Sequence, residues 1–225
     1  PFGRSYVHAL MEGGRKSNRT VILLSHFDVV AVDDYGAYKD LAFNPLEYTK
    51  LLKRETEISL SREAKEDLDS GDYIFGRGTM DMKFGIALDV EIMYQLENKL
   101  DVFPGNILFL SVPDEENNSA GMLSAVELLS RLKDEKNLEY VCCIVSEPHF
   151  PKYPGDNNKY IYTGAVGKLL PVFYCVGKET HAGDPFSGLN PNLLTSKIIE
   201  KIELNPELSD SSGDFRVPAP VCLKQ

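Results

Sequence analysis

In the middle of the chain, an apolar run ends in three carboxylates: Ile107-Leu108-Phe109-Leu110-Ser111-Val112-Pro113-Asp114-Glu115-Glu116. The apolar part is short and does not alternate with polar residues, which predicts a strand buried on both faces of a sheet. Open α/β sheets bind their ligands beyond the carboxyl ends of such strands. Adjacent residues project in different directions from an extended backbone, so Glu115 and Glu116 can serve a metal and a substrate separately. The open alternative is a solvated acidic loop before a helix N-terminus, where carboxylates are favoured.

A second apolar run, Thr20–Ser25, also predicts a buried strand and leads into His26-Phe27-Asp28. Residues two apart in a strand point to the same face. His26 and Asp28 therefore suit a site in which the imidazole binds a metal through one nitrogen and a carboxylate through the other. A His–Asp pair on the surface is the alternative, because this short pattern alone is a weak signal.

Two further carboxylates follow a third predicted strand and a glycine-containing loop. Tyr140–Val145 predicts a buried strand that ends in Ser146-Glu147-Pro148. Asp81 lies in the loop Gly76–Lys83, whose glycines permit the tight turns that are common near ligands. Apolar residues then recur at helical spacing from Phe84 to Glu97. On position alone, Asp81 is equally suited to capping this helix and to binding a ligand.

Strands and helices alternate along this part of the chain, and Ser119 is the expected N-cap of the helix that runs to about Lys133. This order predicts an α/β fold with a mostly parallel sheet, right-handed crossovers and flanking helices. Strands of such a sheet end at one edge, where we expect five residues to converge: His26, Asp81, Glu115, Glu116 and Glu147. One histidine with several carboxylates suits zinc or a similar divalent ion. A further carboxylate beside the ligands is what a metal-assisted hydrolase needs as its general base.

Composition and charge argue against several classes of binding partner. The formal net charge is −10 and no basic run occurs, which argues against nucleic acid. No apolar run approaches the ~20 residues of a membrane span, so no membrane partner is expected. The four cysteines form no C-x-x-C pair and no disulfide-like framework, which indicates a reducing, cytoplasmic setting. Cys142 and Cys143 are expected to pack as small apolar residues. No glycine-rich loop opens a helix, as it would in a phosphate- or nucleotide-binding α/β protein.

A change in character near residue 165 predicts two domains. Residues 1–165 would form the catalytic α/β domain, and residues 166–225 would begin an α+β lid domain. The second part contains the loop Gly177–Pro185 and an amphipathic pattern from Asn192 to Ile202. Asp33–Gly71 is polar and irregular, which indicates a surface insertion without chemistry. The chain starts with Pro rather than Met and ends without a terminating feature, so we expect a piece of a longer protein.

The order and spacing of these blocks resemble a known family, the dinuclear zinc exopeptidases and amidohydrolases that include aminoacylase, glutamate carboxypeptidase and succinyl-diaminopimelate desuccinylase. The matching stretches span most of the chain and are Ser25–Val30, Gly76–Lys83, Pro113–Glu116, Ser146–Pro148 and Gly177–Asn190. The long insertion after Asp33, with Ala42-Phe43-Asn44-Pro45, is most similar to the arginine-utilisation (RocB-type) branch.

The resemblance implies a ligand set and a cofactor. His26 and Glu147 would bind one metal, Glu116 would bind the other, and Asp81 would bridge the two. The cofactors would be two divalent ions, zinc in the first place, with Co2+ or Mn2+ as alternatives.

The resemblance also implies three catalytic roles. Glu115 would be the general base, and Asp28 would orient the metal-binding imidazole. His181 matches the lid-domain histidine that helps to stabilise the oxyanion, often in the active site of a dimer partner. A homodimer formed through the lid is therefore an open expectation.

This chain departs from the family at its ends. The last metal ligand of the family is a histidine near the end of the full-length protein, and no residue here matches it. The N-terminal helices that usually precede the first motif also have no counterpart. Site one would be complete with His26, Asp81 and Glu147, whereas site two would have only Asp81 and Glu116. We therefore expect this chain alone to bind one zinc more tightly than the second and to be catalytically incompetent.

The expected reaction is hydrolysis of an amide bond in an N-acyl amino acid or small peptide. The similarity to the RocB-type branch would place this reaction in arginine or ornithine catabolism. Two ions would lower the pKa of a bridging water, and Glu115 would pass its proton to the leaving amine. The alternative from another class is a non-catalytic, metal-dependent binding or regulatory protein, since fold does not fix function. Glu115 discriminates the two, because a purely structural metal site needs no extra carboxylate beside a ligand.

Overall fold

The computed structural model describes most of the chain: residues 3, 5–14, 17–55, 58–149, 151–153, 155–156, 158–164, 171–212, 215–217 and 220. The chain divides into two compact units, Pro1–Asn158 and Lys159–Gln225. The predicted domain boundary between residues 165 and 166 lies outside the described residues and stays a prediction.

The first unit is built on a four-stranded sheet. Its strands are β1 (Val7–Glu12), β2 (Arg19–His26), β3 (Asn106–Val112) and β4 (Glu139–Val145). Their order across the sheet is β1-β3-β2-β4. Strand β2 pairs in parallel with β3 and β4, whereas β1 pairs antiparallel with β3 at one edge. The predicted mostly parallel sheet is confirmed, and β1 is an edge strand that the sequence analysis did not predict.

Four α-helices accompany the sheet: α1 (Pro45–Leu52), α2 (Arg62–Ser70), α3 (Gly85–Glu97) and α4 (Ala120–Lys136). Helix α1 begins with proline after Asn44, whose side chain accepts the N–H of Glu47. Helix α2 is also capped by a side chain, because the hydroxyl oxygen of Ser61 accepts the N–H of Ala64. In the described part of the chain, no helix is both long enough and apolar enough to cross a membrane.

Helices α3 and α4 cover opposite faces of the sheet, because β2 and β3 are apolar on both sides. On one face, strand residues and α3 form an apolar cluster that includes Leu23, Ile107, Phe109, Ile86, Met93 and Leu96. The other face joins strand residues to α4 and consists of Ile22, Leu108, Leu110, Val112, Ala125 and Leu128. Strand β3 is buried along its whole length, as predicted. The two helix layers therefore hold the parallel strands with their carboxyl ends at one edge.

Strand β4 differs from the prediction of a buried strand. It forms the other edge of the sheet, and Ile144 and Val145 are each 50% exposed. Cys142 and Cys143, which were expected to pack in the core, are exposed as well. The prediction was wrong because an apolar run records residue types and does not show whether a second strand or a helix covers them.

The second unit contains one α-helix and a two-stranded ribbon among its described residues. These elements are α5 (Pro191–Ile202), β5 (Asp210–Ser212) and β6 (Phe215–Val217), the last two paired antiparallel. Asn190 caps α5 by accepting the N–H of Asn192 at 2.9 Å. The helix predicted from Asn192 to Ile202 is confirmed.

Candidate metal centre

The carboxyl ends of the three parallel strands meet at one edge of the sheet. His26, the last residue of β2, pairs with Val112, the last residue of β3. Val145, the last residue of β4, pairs with Leu24 of β2. The segments that follow the strands therefore leave the sheet side by side. They carry the predicted site residues His26, Asp28, Glu115, Glu116 and Glu147.

His26 lies at the centre of this group and is only 2% exposed. Its Nδ1 lies 3.1 Å from the backbone oxygen of Asp28. A carbonyl oxygen can only accept, so we assign the proton of the neutral ring to Nδ1 and the lone pair to Nε2. A carbonyl or carboxylate on the far nitrogen is the usual arrangement of a metal-binding histidine. The imidazole is therefore oriented as a ligand through Nε2.

Nε2 of His26 faces carboxylates from three separate segments. It lies 3.1 Å from Oδ1 of Asp81, 3.2 Å from Oε1 of Glu147 and 3.8 Å from Oε2 of Glu115. A lone pair directed at ionised carboxylates is repelled, and a cation among these atoms would offset that repulsion. The donor set of one imidazole and several carboxylates fits a divalent metal ion.

Asp81 reaches the imidazole from a wide turn, Thr79–Phe84, that leads directly into α3. Gly78 precedes this turn with φ +75°, and a Cβ there would lie 2.7 Å from Cγ1 of Val29. Only glycine combines that backbone conformation with the available space. Oδ1 of Asp81 lies 3.1 Å from Nε2 of His26, the ring nitrogen that carries the lone pair. Of the two alternatives for Asp81, this contact favours a ligand over a helix cap.

Asp28 differs from its predicted geometry. Strand β2 ends at His26, so Asp28 lies beyond it, and its carboxylate is 3.4 Å from Nδ1. The Asp28 carboxylate accepts the backbone N–H groups of Glu115 and Glu116, each at 3.1 Å. Asp28 thus fastens the turn after β3 to the turn after β2 and holds both glutamates in place. Its role in orienting His26 stays a prediction.

Two glutamates of the site have raised pKa values. Burial raises the pKa of Glu116 and of Glu147 above the usual range for glutamate. The Asp81 carboxylate raises the pKa of both further, while His26 lowers it. A bound divalent ion would favour the ionised form of these groups. Metal binding should therefore release protons from this site at pH values low enough for these groups to be protonated.

Among the residues that the structure describes, two overlapping groups have ligand atoms within 4.8 Å of one another. One is His26 with Asp81 and Glu116, and the other is His26 with Glu115 and Glu147. Each group offers one imidazole and two carboxylates, which suits zinc or another divalent ion. Glu115 and Glu116 are both within ligand range, so the predicted division into base and ligand stays a prediction.

His181 belongs to the second unit and lies in the loop before the 3₁₀ turn Pro185–Ser187. Its side chain is exposed, and its Nδ1 accepts the backbone N–H of Gly183 at 3.0 Å. This bond assigns the proton of the neutral ring to Nε2, which can then donate to an oxyanion. The role of His181 in catalysis stays a prediction.

Arg77 makes a contact that the sequence analysis missed. Its Nη2 donates to both carboxylate oxygens of Asp34, each at 2.6 Å, and its guanidinium carbon lies 5.3 Å from the centre of the Tyr35 ring. The polar segment after Asp33 was expected to be a surface insertion without chemistry. Nothing contradicts that expectation, and the contacts add a structural role, because Asp34 and Tyr35 hold the loop that carries Asp81. An ion pair between residues so distant in sequence leaves no local pattern.

Asp114, and not Ser119, caps helix α4. Ser119 stands at the N-cap position with φ +55°, and its side chain makes no capping hydrogen bond. Oδ2 of Asp114 accepts the N–H of Ala120 at 3.2 Å instead. The expectation for Ser119 was wrong because Asp114, six residues before Ala120, adopts φ +70° and turns back toward the helix.

The fold and the donor set define an α/β protein with a candidate metal site at the carboxyl edge of its sheet. Sequence comparison adds the family, because residues 53–211 match peptidase family M20/M25/M40. The chain belongs to this family.

Curated relatives extend the comparison. The chain is 43% identical over 223 residues to the protein YqjN of Bacillus subtilis (strain 168), a match that covers 99% of this chain and 40% of YqjN. It is 38% identical over 225 residues to the protein RocB of the same strain, covering 100% of this chain and 39% of RocB. It is 29% identical over 208 residues to succinyl-diaminopimelate desuccinylase of Buchnera aphidicola subsp. Acyrthosiphon pisum (strain APS), covering 92% of this chain and 47% of that protein. The family predicted from the motifs is confirmed, and the chain spans less than half the length of these relatives.

Proposed function

We propose that this chain is the catalytic part of a metal-dependent hydrolase that cleaves an amide bond in an N-acyl amino acid or a small peptide. The observation that carries the proposal is the buried His26, whose Nε2 faces Asp81 and Glu147 within 3.2 Å and Glu115 at 3.8 Å. Membership of a peptidase family supports hydrolysis of an amide bond. The name of the related desuccinylase, which refers to a succinyl group on an amino acid, supports an N-acyl substrate.

The residues present would hold two divalent ions, with zinc as the first choice. His26 and Glu147 would bind one ion, Glu116 the other, and Asp81 would lie between them. When bound, such ions polarise the substrate carbonyl and lower the pKa of a water molecule.

Glu115 would act as the general base. Its side chain is 50% exposed, so it can meet both water and substrate. Its backbone N–H is held by Asp28, and its Oε2 lies 3.8 Å from Nε2 of His26. Glu115 would accept the proton of the attacking water and then donate it to the leaving amine. His181 would donate a hydrogen bond to the oxyanion, in the same subunit or in a partner through a lid-mediated homodimer.

The similarity to RocB supports a role in arginine or ornithine catabolism, and the acidic composition suits a cationic substrate. The four cysteines have no disulfide-like spacing, which supports a cytoplasmic setting for this activity.

The test compares Glu115→Gln with Glu127→Gln, an exposed glutamate on α4, in the natural protein that contains this chain. Hydrolysis of a panel of N-acyl amino acids and metal content are measured on the same preparations. Glu115→Gln should lower turnover by about 100-fold or more at nearly unchanged metal content, because it removes a proton acceptor and not a ligand. Glu127→Gln should change neither quantity.

Turnover of Glu115→Gln at the unaltered rate would show that the assignment of the base is wrong. An unaltered protein that binds metal but hydrolyses no member of the panel would favour the non-catalytic binding or regulatory alternative instead.

A further inference from the structure

Helix α3 carries a carboxylate that the proposed mechanism does not use. Asp89 is 0% exposed. Its Oδ1 accepts the hydroxyl of Ser146 at 2.6 Å. Its Oδ2 is buried and has no hydrogen-bond partner within the part of the chain that the structure describes. A buried carboxylate with one oxygen unsatisfied costs stability, so its presence calls for a role other than stabilising the helix.

Ser146, the partner of Asp89, directly precedes the candidate ligand Glu147. Its backbone is weakly held by the sheet, because its N–H lies 3.4 Å from the oxygen of Leu24 and β4 is an edge strand. The 2.6 Å bond to Asp89 is therefore the short polar contact that fixes the start of this turn.

The same helix begins at the loop that carries Asp81. Gly85, the first residue of α3, packs so closely on the turn after β4 that a Cβ there would lie 2.2 Å from the backbone oxygen of Ser146. Asp89 is four residues further on and so lies on the same face of the helix. Two contacts, one helical turn apart, thus hold Ser146 against the helix that starts four residues after Asp81.

We propose that Asp89 is a positioning residue for the metal centre. Through Ser146, it sets the separation of Asp81 and Glu147, the two carboxylates nearest Nε2 of His26, and so sets the affinity for a divalent ion. This inference rests on the proposed function, because it requires that Asp81 and Glu147 bind metal. Residues that hold ligands in place typically contribute about 10- to 100-fold to metal affinity.

The test uses the natural protein that contains this chain and measures zinc affinity by calorimetry, the absorption spectrum of the Co2+-loaded protein, and stability by urea unfolding without metal. Asp89→Leu should weaken zinc binding by about 10-fold or more and alter the Co2+ spectrum. Its stability without metal should be equal or higher, because an apolar side chain replaces a half-satisfied carboxylate. A purely structural role would instead lower stability and leave the Co2+ spectrum unchanged.

Two further variants keep the test independent of folding. Asp89→Asn retains an acceptor for the Ser146 hydroxyl and should keep zinc affinity within a few-fold of the unaltered chain. Ser146→Ala should weaken zinc binding as Asp89→Leu does, and the double variant should show no additional loss.

A matched control lies at the opposite end of the sheet. Thr20 is fully buried, and its hydroxyl donates to the backbone oxygen of Asn18 and accepts from Asn106. Thr20→Val should lower stability and leave zinc affinity unchanged, which is the reverse of the result for Asp89→Leu.

Two results overturn different claims. Unchanged zinc affinity in both Asp89→Leu and Ser146→Ala, with zinc binding intact in the unaltered natural protein, overturns the positioning role alone. Failure of the unaltered natural protein to bind zinc or Co2+ overturns the proposed metal-dependent function together with this inference.

Discussion

At the scale of the single residue, Asp89 also makes the stability of the chain depend on pH. Burial raises the pKa of Asp89, although the Ser146 hydrogen bond lowers it, and Cys143 is the other titratable group that interacts with it. Between the pKa of Asp89 in the unfolded chain and its higher pKa in the folded chain, the folded chain therefore keeps a proton that the unfolded chain has released. The free energy of unfolding should fall as pH rises through this window.

Urea unfolding of the metal-free chain at a series of pH values measures this dependence. Asp89→Asn should remove that part of the slope, so its stability relative to the unaltered chain should increase with pH. Glu97→Gln, an exposed position at the end of the same helix, serves as the control and should leave the slope unchanged. A slope that persists in Asp89→Asn would contradict the assignment.

Residue types at strand ends could be predicted from the sequence, but their atomic contacts could not. His26, Asp81 and Glu147 were identified because apolar runs and a glycine loop precede them. The sequence did not indicate that Nδ1 of His26 would meet the backbone oxygen of Asp28 rather than its carboxylate. Asp89 was missed because a carboxylate inside a helical pattern looks like a solvated residue.

At the scale of the element, Asp114 determines how α4 begins. Its side chain accepts the first helical N–H, and its backbone oxygen accepts the N–H of Ser119 at 2.6 Å. Asp114→Ala should lower the free energy of unfolding by about 1 to 2 kcal/mol, because it removes the cap. It also places Ala at φ +70°, a conformation that Asp tolerates better.

Urea denaturation of Asp114→Ala and Asp114→Asn provides the comparison. Asn keeps both an acceptor oxygen and tolerance of the left-handed region, so Asp114→Asn should lose much less stability. Equal losses in the two variants would show that capping by Asp114 does not stabilise α4.

The positions of helices and strands could be predicted wherever the apolar pattern was long. Which elements lie next to one another in the fold could not. The apolar runs located β2, β3 and β4, and helical spacing located α3. The run in β4 did not reveal that this strand lies at an edge, because the pairing order depends on contacts distant in sequence. The antiparallel β1 carries no long apolar run, so nothing in its residues indicated a strand.

At the scale of the whole molecule, the fold brings carboxylates from three separate segments to one buried imidazole. These residues are Asp81, Glu115, Glu116 and Glu147 around His26. The family accounts for the motifs and for their order along the chain. The chain covers 40% of YqjN and 39% of RocB. The number of metal ions that this chain binds and the activity of the whole protein therefore have to be measured separately.

Zinc titration of the 225-residue chain by calorimetry, in two buffers that differ in ionisation enthalpy, tests the central claim most directly. We expect one tight and one weaker zinc, and proton release on binding that grows as the pH of the titration is lowered, because the pKa values of Glu116 and Glu147 are raised. An activity assay on the same preparation should show little or no turnover. His26→Asn should abolish the tight site, and the exposed control His8→Asn should not. No zinc binding, two equally tight ions, or tight binding that survives His26→Asn would contradict the account.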